Sequence, residues 1–139
     1  MHFETEEQIQ DFLQRFENGQ IPAGEWNHAA HVAVAAIYVW ELDGTAFPRI
    51  RAGIHHLNWH HGTISTDDRG YHETLTVFWT EILRAYCSAH REEGRLAVVN
   101  GAVRTLPVVL HKQYYSFDVI RSREARRNWI APDLKAIAF

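Results

Sequence analysis

Apolar positions in this chain recur at intervals of three and four, the spacing that puts side chains on one face of a helix. Ile9, Phe12, Leu13 and Phe16 form the first such stripe. Thr5 and Gln8 before it fit a capping box, and Gly19 after it stops the turn. The stretch 19–24 has loop composition. Asn27 is a good N-cap for a second helix reaching about Leu42, and Val32 to Trp40 is apolar almost all round, the mark of a central buried helix. Asp43-Gly44 ends it. Thr45 can cap a third helix with Phe47, Ile50, Ile54 and Leu57 inward, closing near Gly62. The longest irregular segment, 62–70, follows. A fourth helix, with Gly70 at its N-cap and an end near Arg91, carries a stripe of His72, Leu75, Trp79, Ile82 and Tyr86. After Glu92-Glu93-Gly94 a fifth runs from about Arg95 to Leu106, where Pro107 forces an end. Ser116 and Ser122 read as caps of two short closing helices before Pro132. No stretch alternates with period two for long enough to make a strand. The expected fold class is all-α, a single helical domain over 1–139 built as a bundle of about five main helices plus short C-terminal ones.

Composition narrows the function classes. The 139 residues carry a net charge of -3, which argues against a nucleic-acid partner held by bulk electrostatics. No apolar run approaches the roughly 18 residues of a membrane span, and no signal peptide is visible at the N-terminus. The single cysteine, Cys87, excludes an internal disulfide and fits a reducing, cytoplasmic setting; it reads as a buried, inert thiol. Charge is uneven, acidic over 1–25 and basic over 121–135, so two solvated faces that attract each other are expected. A basic patch at 121–127 for an acidic partner is the alternative.

Histidine is the outlier, with ten copies. His28 and His31 stand at i and i+3 at the start of the second helix, so they can face one object, and neutral imidazole is a common ligand for transition metals. The positive end of the helix dipole disfavours imidazolium and keeps both rings neutral. His72, on an inward stripe at the start of the fourth helix, would bring a third imidazole to the same end. Glu73 is either a fourth ligand or a base for a bound water; at the third helical position it has an ordinary use in reaching back to the cap. The expected cofactor is a divalent transition metal, zinc or iron, bound by His28, His31, His72 and Glu73. His60, His61 and Asp67 are further candidates, explained as well by a helix end and a turn. Trp26, Tyr71 and Trp79 would wall an apolar pocket for a small organic substrate or ligand.

Several signatures are absent. There is no His-Glu-x-x-His, no Gly-x-Ser-x-Gly, no phosphate or dinucleotide glycine loop and no Cys-x-x-Cys. Water activation by a zinc-like ion and a two-His-one-carboxylate iron centre both stay open, and with them a metal-dependent enzyme. The alternative is a non-catalytic small-molecule-binding protein with structural histidines.

Three motifs together span nearly the whole chain: Trp26-Asn27-His28-Ala29-Ala30-His31, Gly70-Tyr71-His72-Glu73-Thr74, and Tyr114-Tyr115-Ser116 with Ser122, Ala125-Arg126, Trp129 and Pro132-Asp133-Leu134. In these the chain resembles a family of small bacterial proteins to which no activity is assigned. The resemblance implies a shared fold and site and draws attention to the three histidines, Glu73, Tyr115 and Arg126. The tail aromatics Tyr114, Tyr115, Trp129 and Ile130 read as an apolar face docking on the bundle. In the functional alternative the Tyr115 hydroxyl and the Arg126 guanidinium stand at the pocket rim, where arginine can hold a carboxylate or phosphate.

Overall fold

A stripe of buried Ile9, Phe12, Leu13 and Phe16 defines α1, Glu6–Glu17, in a computed structural model that describes residues 1–138. Its cap follows from chemistry at both ends. Thr5 accepts from the Gln8 amide at 3.1 Å, and the Gln8 side chain reaches back to the Glu4 amide at 2.7 Å. At the other end Gly19, at φ 68°, lets the Gln20 amide return to the Arg15 carbonyl at 2.8 Å. The other helices are α2, His28–Leu42; α3, Ala46–His60; α4, Glu73–Ala89; α5, Arg95–Thr105; and a short α6, Arg123–Arg127. Single 3-10 turns join or trail several of them, and no strand occurs among the described residues. Among the described residues no helix is long and apolar enough to cross a membrane.

The fold is organised around α2. With Ala30 and every residue from Val32 to Val39 buried, it has no solvent face to offer, and it packs against α1, α3, α4 and α5 at once. The approach of α1 to α3 depends on Gly53, where a Cβ would lie 2.2 Å from the Phe16 ring. Between α2 and α3 the chain reverses at Asp43, whose φ of 46° lies in the left-handed region.

Two starts differ from the sequence expectation. α4 begins at Glu73 with His72 as its N-cap, two residues after the expected cap at Gly70. Its most deeply buried side chains are Thr74, Phe78, Thr80, Ile82, Leu83 and Cys87, so the stripe of Leu75, Trp79 and Tyr86 is only half-buried, to one side of the core. Ser122 caps α6 by accepting from the Ala125 amide at 3.1 Å, but Ser116 caps no helix; its amide and hydroxyl are both bound by Asp133. Thr45 stands at the N-cap of α3 as expected, although its hydroxyl turns back to the Leu42 carbonyl, 2.8 Å away, instead of capping an amide.

The tail returns across α4. Thr74 Oγ1 donates to the Asn128 carbonyl at 2.6 Å and accepts from the Ile130 amide at 3.0 Å. Tyr114 and Tyr115 are buried against Phe78, Ile130 is half-buried, and Trp129 stays 41% exposed. Among the described residues the acidic N-terminal and basic C-terminal stretches do not pair as expected. Glu6 binds Arg95, while Arg123 and Arg127 bind Asp68 and Asp67 and so tie α6 to the 62–70 loop.

Candidate functional site

The starts of α2 and α4 meet the returning tail around a cavity of about 470 Å³. That size is ordinary for a small-molecule site, which runs to roughly 300–1,000 Å³. Trp26, Tyr71 and Trp79 stand in its wall, as do Ile50, Ile54 and Leu75, so most of the lining is hydrocarbon and aromatic. His28, His31 and His72 all line it, and so does Arg126. Glu73 and Tyr115 lie elsewhere.

Each histidine is held by a backbone carbonyl, and which nitrogen is held decides what the ring can do. In His72, Nδ1 accepts from the Leu75 amide at 3.1 Å, so Nε2 carries the proton and donates to the Val119 carbonyl at 2.9 Å. Both nitrogens are used. The ring caps α4 and pins the tail, and no lone pair remains for a metal ion. Burial, with the Arg126 charge nearby, holds its pKa below the usual histidine value despite the carbonyl bonds.

The two histidines of α2 differ from it. Asn27, the N-cap, accepts from the Ala30 amide through its side chain at 3.0 Å. The Asn27 carbonyl then takes the Nδ1 proton of His31 at 2.8 Å, which leaves Nε2 as a bare acceptor. Burial is the largest influence on the His31 pKa and depresses it, the Asn27 carbonyl opposes, and His28 adds a smaller depression. The ring lies over Trp26 with centroids 3.9 Å apart. His28 donates from Nε2 to the Leu106 carbonyl at 3.0 Å, leaving Nδ1 bare, and sits edge-on to Trp79.

A fourth imidazole stands just past Pro107 and carries no pattern in the sequence. His111 is buried and lines the same cavity, and its Nδ1 donates to the Val108 carbonyl at 3.1 Å. It arrives on the 3-10 turn Leu110–Gln113 that follows the stop at Pro107. The Pro107 break is visible in the sequence, but nothing local says that the turn after it reaches the cavity.

The remaining candidates have other partners. Glu73, at the first position of α4, accepts from Tyr71 Oη at 2.5 Å and from Arg51 Nε at 3.2 Å. Burial and this carboxylate together raise the Tyr71 pKa well above the usual phenol range. Tyr115 donates to the Ile130 carbonyl at 2.7 Å, and burial pushes its pKa up to about 12. His61 bonds the Ile21 carbonyl at 2.7 Å and ties the 19–24 loop to the end of α3. His60 packs beside Gly19, and Asp67, paired with Arg127, has its carboxyl below the usual range. Cys87 is 2% exposed, with its thiol pushed up to about 11 by burial, as suits an inert core residue. Among the described residues no group of three or more His, Cys, Asp or Glu is placed to hold a metal ion. Compared with known proteins, the chain matches no family model, no curated protein and no solved structure.

Proposed function

We propose that this protein binds a small organic molecule in the cavity at the starts of α2 and α4 and moves a proton on it, with His31 as the base. One observation carries the reading. The Asn27 carbonyl fixes His31 in one tautomer, so a bare Nε2 belongs to a neutral ring in the wall of a largely apolar cavity. A general base must be unprotonated at working pH and held in position, and burial together with a backbone acceptor supplies both. His28 and His111, each with one nitrogen bound to a carbonyl, are the next polar groups available to orient the ligand.

A second reading is favoured by a separate feature. His28 and His31 each keep a bare nitrogen one helical turn apart on the cavity wall, and a divalent ion such as zinc or iron could be held by this pair with solvent completing its shell. His72 and Glu73 would then support the site without ligating.

One set of measurements separates these readings. Untagged protein is assayed for bound metal with and without chelator, then screened for small organics that raise its melting temperature by mass action. Acid–base chemistry predicts hits in chelated protein that are lost in Thr76→Phe, which narrows the cavity, and turnover that is lost in His31→Gln while binding persists. Stoichiometric metal that disappears in His31→Ala selects the second reading. Hits without turnover reduce the protein to a binding module. Neither hits nor metal overturns the site altogether.

A further inference from the structure

The charge balance of the cavity narrows the class of ligand, on the footing that the cavity binds a small molecule. Every titratable side chain in its wall, tyrosine aside, is basic, and among the described residues no acidic side chain lines it. Neighbouring carboxylates are already paired. Glu73 binds Arg51 at 3.2 Å, Asp68 binds Arg123 at 3.1 Å, and Asp67 binds Arg127, whose Nε is 2.8 Å away.

Arg126 differs from those arginines. Its guanidinium donates to the carbonyls of Gly70 at 2.9 Å and Ile120 at 3.4 Å, and among the described residues no carboxylate pairs with it. Carbonyls orient a guanidinium without cancelling its charge, and arginine cannot discharge by losing a proton. Arg126 is half-buried, so this charge is partly removed from water without a counter-ion. The positive ends of the α2 and α4 dipoles, at His28 and Glu73, lie at the same end of the bundle and add to it.

We propose that the cavity takes a small monoanionic organic ligand, a carboxylate on a flat unsaturated body, with the carboxylate at Arg126 and the body against Trp79 and Leu75. The planar guanidinium fork matches a carboxylate in shape. A phosphate dianion would call for several cationic donors, whereas this wall offers one guanidinium, imidazoles each already bound to a backbone carbonyl, and hydrocarbon.

The test is calorimetric titration of the full chain with naphthoate, naphthamide and inorganic phosphate at low and high ionic strength. Naphthoate should bind about tenfold more tightly than naphthamide, which has the same body without charge, and phosphate should bind weakly or not at all. Raising salt should shrink the naphthoate preference and leave naphthamide unchanged. Arg126→Gln should remove the preference at constant naphthamide affinity, and Thr76→Phe should weaken both. The salt series needs no variant, so it decides the point even if Arg126→Gln loosens the tail. Equal binding of acid and amide, a preference that survives in Arg126→Gln, or tighter binding of phosphate overturns the anion class and leaves the cavity reading standing. Failure of both naphthalene probes to bind overturns both.

Discussion

His72 serves the fold through both ring nitrogens, and its titration should therefore be visible in stability. An unfolded histidine titrates near 6.5, whereas burial lowers the folded value of His72. Between the two values the unfolded chain binds more protons than the folded one, so stability rises with pH across that window. The contribution is complete above about pH 6.5 and is lost as pH falls through the folded value. His31 shifts in the same direction and adds to the loss. Asparagine at position 72 keeps an N-cap acceptor but cannot titrate. We expect the urea midpoint of the parent to fall more steeply below pH 6.5 than that of His72→Asn. Parallel slopes would separate His72 protonation from folding.

Among the elements, the first turn of α4 is the junction that matters, because one hydroxyl joins it to the tail. Thr74 is fully buried, donating to the Asn128 carbonyl and accepting from the Ile130 amide. Valine has the same shape without the hydroxyl, so Thr74→Val leaves both backbone groups without that partner. The expected loss is about 1–3 kcal/mol by chemical denaturation, with faster hydrogen exchange at the Ile130 amide. Unchanged exchange there would show that the other contacts of the tail, among them the Tyr115–Ile130 and His72–Val119 hydrogen bonds, hold it without the Thr74 hydroxyl. The same junction shows where the sequence reading stopped. Asn27 is a common cap and is visible as one, whereas an imidazole acceptor at His72 lies outside the usual set of Ser, Thr, Asp and Asn, so Gly70 stands out instead.

At the scale of the whole molecule, tertiary contact overrides local preference at Gly53. Alanine in a helix interior is favoured over glycine by about 1 kcal/mol, so propensity alone predicts that Gly53→Ala stabilises α3. The added Cβ would fall 2.2 Å from a ring atom of Phe16, which is itself fully buried between helices. Forcing a methyl into such packing costs about 1–3 kcal/mol, so net destabilisation is expected. Urea unfolding of the two proteins decides it, and a more stable Gly53→Ala would mean that α1 can shift away from α3.

The stripes, the caps at Thr5 and Asn27, the all-apolar α2 and the stop at Pro107 depend on residues within one or two turns of each other, and periodicity and capping chemistry make them readable in order along the chain. Arg126 stands out only through the resemblance, whereas that His28, His31 and His72 are chemistry-bearing residues is readable in the same way. What each can do is not. His28 meets a carbonyl 78 residues away and His72 one 47 residues away; the first contact leaves Nδ1 of His28 bare, and the second leaves His72 with no bare nitrogen. His111 enters the cavity only because the turn after Pro107 brings it there, and Arg126 has no carboxylate partner among the described residues because the tail folds back across α4. Local spacing determined the helices and the kinds of groups they carry. Long-range packing, which fixes burial, tautomer and counter-charge, decided which of those groups face the cavity and which hold the fold together.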